Sequence, residues 1–211
     1  MYDTNILCKK IINYYLLHNL GSNDFDSFCV EYCIGSNMEL GYYSPSKSDL
    51  FARGVKRGKL VRNAKKPITG FMYFFDNNHE LIHAKRLING VPSELFYFER
   101  AGNYKYGYVF DYISDATQKT KILPDRILCI EYCEGNIINY CCTVIDIDLI
   151  SMPEIKIVRT LSEYEEFAYA DGELKAIKYI NIINDLINNE KQVLTEERFD
   201  FFNGKHWIKS N

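Results

Sequence analysis

Phe71-Met-Tyr-Phe-Phe-Asp-Asn-Asn-His-Glu-Leu-Ile-His-Ala-Lys-Arg-Leu-Ile-Asn-Gly90 is the stretch on which the fold turns. Read as a helix, it is capped by Asp76 or Asn77 and ended by Gly90, with Leu81, Ile82, Ala84 and Leu87 facing a core. His79 and His83 then sit one turn apart on one face, where both reach one zinc while Glu80 polarises a bound water. Read as a hairpin, residues 73–76 form one arm, Asn77-Asn78 the turn and residues 80–87 the return. Residues four apart on a strand lie about 13 Å apart, whereas two Zn–N bonds of about 2.0–2.1 Å require ring nitrogens within about 4 Å. Two observations favour the hairpin. Asp76…Glu80-Leu81 can be laid on Asp171-Gly172-Glu173-Leu174 with a slightly longer turn, and an aromatic run with Asp-Asn-Asn leaves almost no helix ahead of His79.

Four other segments carry the same hairpin grammar: Phe96-Tyr-Phe-Glu-Arg-Ala-Gly102, Cys129-Ile-Glu-Tyr-Cys-Glu-Gly135, Phe167-Ala-Tyr-Ala-Asp-Gly172 and Phe199-Asp-Phe-Phe-Asn-Gly204. Each ends in a glycine and then resumes apolar alternation, and Asn203-Gly204 is the strongest signal because a type I′ turn needs φ > 0 at both central residues. Those glycines step by 33, 37 and 32 residues, which suggests successive hairpins in an antiparallel meander. Upstream, Ile6, Leu7, Ile11, Ile12, Tyr15 and Leu16 recur at helical spacing, so residues 4–20 read as an amphipathic helix capped by Asp3 or Thr4 and closed by Gly21. Residues 28–33 read as a strand, and residues 44–56 as a short helix with Ser44 as cap and Pro45 at its first position. The expected fold is α+β and predominantly β, an N-terminal helix followed by an antiparallel meander of hairpins. Residues 1–66 form a helical segment packed on the β-rich residues 67–211, within one domain.

The 211 residues are 47% hydrophobic and 15% aromatic, with 17 Tyr and 13 Phe against one Trp, ample for a core and weighted towards pleated sheet. Net charge is −3, which gives the whole molecule no generic pull on nucleic acid or anionic lipid. The distribution is uneven: residues 1–66 hold ten Lys/Arg and six Asp/Glu, so the longer C-terminal part is acidic. Seven cysteines, an odd number that includes the adjacent Cys141-Cys142, with no cleavable signal ahead of them, imply a cytoplasmic, thiol-reduced protein. No apolar run approaches the roughly 20 residues that span a bilayer, so no membrane association is expected.

Cys29/Cys33 and Cys129/Cys133 have i, i+4 spacing, but Cys-Val-Glu-Tyr-Cys alternates like a strand and separates its own thiols, so core packing is the expectation. Residues 53–66 carry Arg53, Lys56, Arg57, Lys59, Arg62, Lys65 and Lys66 without an acid; no aromatic residue interleaves them as a stacking surface for single-stranded nucleic acid requires. Glu163, Glu165, Glu166, Asp171 and Glu173 form an acidic strip around a hairpin, suited to a basic partner. No phosphate loop, dinucleotide fingerprint or Gly-x-Ser-x-Gly elbow occurs, and no cofactor is implied.

This combination resembles the β-rich bacterial immunity proteins that partner polymorphic or contact-dependent toxins. The resemblance rests on Phe74-Phe-Asp-Asn-Asn-His-Glu-Leu81 followed by Asn89-Gly90, and on Leu95-Phe-Tyr-Phe98, within residues 70–180. It implies a non-enzymatic protein that binds and neutralises a toxin domain through its acidic surface, with no catalytic residue and no metal. The alternative is a zinc-dependent peptidase: His79-Glu-Leu-Ile-His83 resembles the zincin motif, which would make both histidines ligands, Glu80 the general base and Glu94 or Glu99 the third ligand. A third reading, RNA binding through residues 53–66, predicts affinity that collapses with salt.

Overall fold

A computed structural model describes residues 2–18, 20, 29–61, 69–114, 120–148, 155–202 and 206–210. Residues 71–90 form a hairpin. Its arms belong to a run of strands: β1 (Cys29–Ile34), β2 (Lys59–Val61), β3 (Gly70–Phe75), β4 (Leu81–Ile88), β5 (Val91–Ala101) and β6 (Tyr104–Ser114). The run continues through β7 (Thr120–Cys133), β8 (Asn136–Asp148), β9 (Lys156–Ala170), β10 (Glu173–Asp185), β11 (Glu190–Phe202) and β12 (His206–Ser210). Among the described residues these make one antiparallel sheet of 12 strands, in the order β2-β1-β3 and then sequentially to β12. The meander therefore holds from β3 onward, and residues 1–66 contribute β1 and β2 to the same sheet.

The turns follow the glycine punctuation. Asn89-Gly90, Glu134-Gly135 and Asp171-Gly172 all have positive φ at both residues, the backbone that two-residue hairpins with right-handed twist demand. Asn203-Gly204 lies outside the described residues, although its flanking arms pair from Phe202↔His206 to Arg198↔Ser210.

Both faces of the central strands are covered, which explains why β7 and β8 lack clean alternation: Ile127, Leu128, Cys129 and Ile130 are all buried, as are Tyr140, Cys141, Cys142 and Thr143. Successive side chains enter opposite cores. Cys141 joins a cluster with Leu7, Cys8 and Ile11 of the helix, whereas Cys142 joins a cluster on the other face with Leu40, Phe71 and Tyr73. All seven cysteines are free; five are buried, as expected of small core hydrophobes, while Cys29 is half-buried and Cys133 exposed.

The helix, α1 (Thr4–Leu17), is three residues shorter than the pattern suggests. Asp3 caps it by accepting from the Asn5 amide at 2.9 Å, and it stops at His18, whose backbone is extended and whose amide donates to the Tyr14 carbonyl. Gly21, the expected stop, lies outside the described residues. Its buried face is also rotated from expectation: Leu7, Cys8 and Ile11 are covered, whereas Ile6 and Leu16 stand 55% and 69% exposed. Tyr14 supplies the contact instead, its ring 4.2 Å from that of Tyr108 and 3.9 Å from that of His18.

The expected short helix at residues 44–56 does not form. Between β1 and β2 the chain makes a 3₁₀ turn at Gly41–Tyr43 and one wide π-type turn at Ser48–Ala52, and lies across the second sheet face as a strap. Its groups are satisfied by the sheet. The Leu40 carbonyl accepts from the Tyr73 hydroxyl at 3.0 Å, while Glu39 pairs with Arg126 of β7 at 2.6 Å and accepts from Cys142 of β8. A flat sheet would separate β3 from β8 by about 24 Å, five strand spacings. Neighbouring residues reach both, so the sheet curls around the strap. Gly41, at φ +60°, is where the strap passes closest: a Cβ there would stand 2.2 Å from the Tyr73 hydroxyl.

Candidate functional site

The histidine motif falls on a turn and the strand after it. Asp76 accepts at Oδ1 from the amides of Asn78 and Glu80 at 2.9 and 2.8 Å, and His79 takes the turn's positive φ of 57°. Glu80 pairs with Arg100 at 2.7 Å and Lys105 at 3.6 Å, next door on β5 and β6. His83 points into the sheet's helix side at 1% exposure, its ring 5.2 Å from that of Phe74 and 4.7 Å from that of Tyr97. Burial holds its pKa down to about 3, with Lys85 adding to the effect. The two histidines therefore do not share a helix face. The alternative third ligands are engaged elsewhere, Glu94 with Arg86 and Arg126, Glu99 with the Tyr108 hydroxyl. Among the described residues no group of three or more His, Cys, Asp or Glu is disposed to hold a metal ion.

Two arginines of the basic stretch are likewise drawn into structure, while Lys56 and Lys59 are exposed. Arg53 lies 4.0 Å over the Tyr179 ring and pairs with Asp49 and Glu197, and Arg57 lies over Tyr42. Arg62, Lys65 and Lys66 lie outside the described residues.

The acidic strip divides by strand alternation. Glu163 and Glu165 face the strap. Glu163 accepts from the Tyr179 hydroxyl at 3.0 Å. Glu165 is 3% exposed and accepts from the Ser46 and Ser48 hydroxyls and the Lys47 and Ser48 amides, between 2.5 and 3.0 Å, which takes it out of any exposed acidic surface. Burial raises its pKa against the lowering by those donors. Asp171 serves the β9–β10 turn at φ 53°, and Glu173 beside it pairs with Lys175 at 2.6 Å. Glu166 faces the opposite way, exposed, on the helix side.

There Glu166 completes a site with residues the sequence pattern did not single out. Tyr104, Glu131, Asn139 and Glu166 stand directly opposite one another on four successive strands, β6 to β9. With Tyr2 and Tyr164 they line a pocket of about 160 Å³ beside the start of α1, room for about five waters at about 30 Å³ each. Glu131 accepts at Oε1 from the Tyr104 hydroxyl at 3.0 Å, and at Oε2 from Asn139 Nδ2 at 2.7 Å and the Tyr2 hydroxyl at 3.4 Å. The Tyr2 ring packs edge-on against Tyr104 at 6.2 Å and stacks on Tyr164 at 6.5 Å. Burial and then the nearby Cys129 and Glu131 raise the Tyr2 pKa, while Tyr104 is raised by its hydrogen bond to Glu131 and by that charge. Both phenols stay protonated and donating. Glu131 makes no salt bridge among the described residues, whereas Glu166 stands directly opposite Lys178 of β10, whose ammonium pairs with Glu196 at 2.9 Å and also feels the Glu166 charge. A larger cavity, about 580 Å³ at the β10–β11 turn, is an open ledge lined by both signs of charge, Arg159 and Lys191 with Asp185 and Glu190.

The signal for this site lay in Cys129-Ile-Glu-Tyr-Cys133, whose alternation sets Glu131 on the Cys129 side. Finding its neighbours required the register.

No family model matches the chain, and no curated protein matches it. Among solved structures, a protein of unknown function from Bacteroides fragilis is similar at a TM-score of 0.38 and 6% identity, covering 61% of this chain and 91% of the other. A likeness at that score carries no argument about function.

Proposed function

We propose that the chain is a non-enzymatic binding protein, of the kind exemplified by toxin immunity proteins, that takes a positively charged protein partner on its helix-side face. The observation that supports this reading is the pocket around Glu131, where that carboxylate, without a salt bridge among the described residues, and the exposed Glu166 meet three tyrosine rings. Tyrosine supplies rigid, amphipathic contact area at small entropic cost, and unpaired acid raises the association rate with a basic surface. Of the acidic strip, Glu166 belongs to this surface; Glu165 instead anchors the strap.

The test is co-purification with the product of a neighbouring toxin gene, followed by the rate of association at increasing salt. Capture of that product, with an on-rate falling as salt rises, is the expected result. Clean failure to bind any such neighbour overturns the reading.

A further inference from the structure

We infer that the pocket bounded by Tyr2, Tyr104, Tyr164, Glu131, Asn139 and Glu166 is a receptor for a primary ammonium, the side chain of a lysine presented by a protein partner. The inference rests on the binding reading above and adds the chemistry of the contact.

The lining is rich in acceptors. The Tyr104 hydroxyl spends its proton on Glu131 Oε1, which leaves its lone pairs to accept, while the Tyr2 hydroxyl is shared between Glu131 Oε2 and the Cys129 thiol. The Tyr164 hydroxyl is turned to the chain, towards the Tyr2 carbonyl and the Thr4 hydroxyl. A carboxylate offers about four acceptor positions and three donors occupy Glu131, which leaves room for one more. Glu166 stands two strands away from Glu131 in the same cross-strand row, on the far side of Asn139. Asp3, next to Tyr2, places its carboxylate over the start of α1 and offsets the positive end of the helix. The remaining acceptors and the negative charge of the lining therefore favour an incoming group that is a donor and a cation, with Lys178 opposite Glu166 already held by Glu196.

Shape chooses between the two cationic side chains. A guanidinium is planar and binds best to both oxygens of one carboxylate in parallel. Glu131 cannot offer that fork, because Oε1 and Oε2 are already held by donors from two different strands. An ammonium is compact, carries three rotatable donors and splits its bonds between separate acceptors. Its methylene stem would lie against the Tyr2 and Tyr104 rings, with the charge attracted to their faces. The volume of about 160 Å³ is enough for such a head group.

The probes are N-acetyl-lysine methylamide and its arginine and norleucine counterparts, titrated into the full chain while backbone amide resonances of Tyr104, Glu131 and Asn139 are followed. The expected result is saturable shifts with the lysine compound, weaker ones with arginine and none with norleucine. Glu131→Gln, and independently the exposed-rim change Glu166→Gln, each weaken the lysine titration by roughly tenfold. The rim variant leaves the fold untouched and so guards against misfolding of the first. Equal response to arginine or norleucine, or lysine shifts indifferent to both variants, overturns the inference. If the toxin partner is captured equally well by wild type and Glu131→Gln, the pocket falls and the binding reading stands. If lysine titrates the pocket and no neighbouring toxin is captured, the reverse holds.

Discussion

His83 shows how one side chain can be misread from its neighbours in sequence and correctly placed by its neighbours in space. Packed between Phe74 and Tyr97, it is held neutral, with its pKa lowered by burial to about 3. The folded state thus binds this proton less readily than the unfolded chain, whose histidine titrates near 6.5. The stability it contributes is complete above about pH 6.5 and is lost as pH falls towards about 3. Asp111 has the opposite slope. Its carboxyl is raised to about 6 by burial and then by Asp125 and Glu94, so its charged form weighs against the fold as pH rises. The histidine is therefore best measured as a difference: between about pH 7.5 and 4.5, urea denaturation should cost wild type about 2–3 kcal/mol more than His83→Phe. A difference that does not change with pH would mean that His83 is solvated. The burial of His83 was readable only as half of a pattern: the Asp76…Glu80-Leu81 phrasing announced a strand, but which face was buried depended on α1 and Tyr97, distant in the chain.

At the scale of the element, the strap between β1 and β2 is the part least visible in the sequence. Ser44-Pro45 carries the marks of a helix start, and in isolation that is what such residues favour. In the folded chain Glu165, 119 residues away from Ser46, supplies the acceptor for two hydroxyls and two amides of the strap, so the backbone opens into a wide turn. A single carboxylate thus takes the donors at the start of the turn, which closes through the Arg53 amide donating to the Ser48 carbonyl at 2.8 Å. Glu165→Ala would leave those four donors buried without an acceptor, and destabilisation of about 3–5 kcal/mol is expected by chemical denaturation. A loss below about 1 kcal/mol would show that water takes over and that the strap is not held from this point. The hairpins, by contrast, were legible, because a two-residue turn with positive φ and the glycine that permits it are local.

For the whole molecule, the decisive feature is that one sheet serves two cores. Trp207, the single tryptophan, lies on β12 at the sheet's end, 6.0 Å from Phe51 of the strap and 5.0 Å from Phe201 of β11. Its fluorescence should therefore report on docking of the strap at the β12 edge of the sheet. Wild-type unfolding followed by Trp207 emission and by backbone circular dichroism is expected to coincide, as one cooperative unit requires. In Glu165→Ala the fluorescence transition should come first; coincidence in both proteins would place the strap outside the cooperative core. By itself the sequence determined the strand-rich meander, its turns, the capped N-terminal helix and the burial of most cysteines, because alternation, capping and positive-φ turns act over a few residues. Tertiary structure decided the curl of the sheet, the fate of the strap and the pocket. Its row depends on the β-bulge at Glu131/Tyr132, which shifts the β7–β8 register so that Asn139 stands opposite Glu131. A one-residue slip turns a side chain to the other face, and that slip is set by packing among strands distant in the chain.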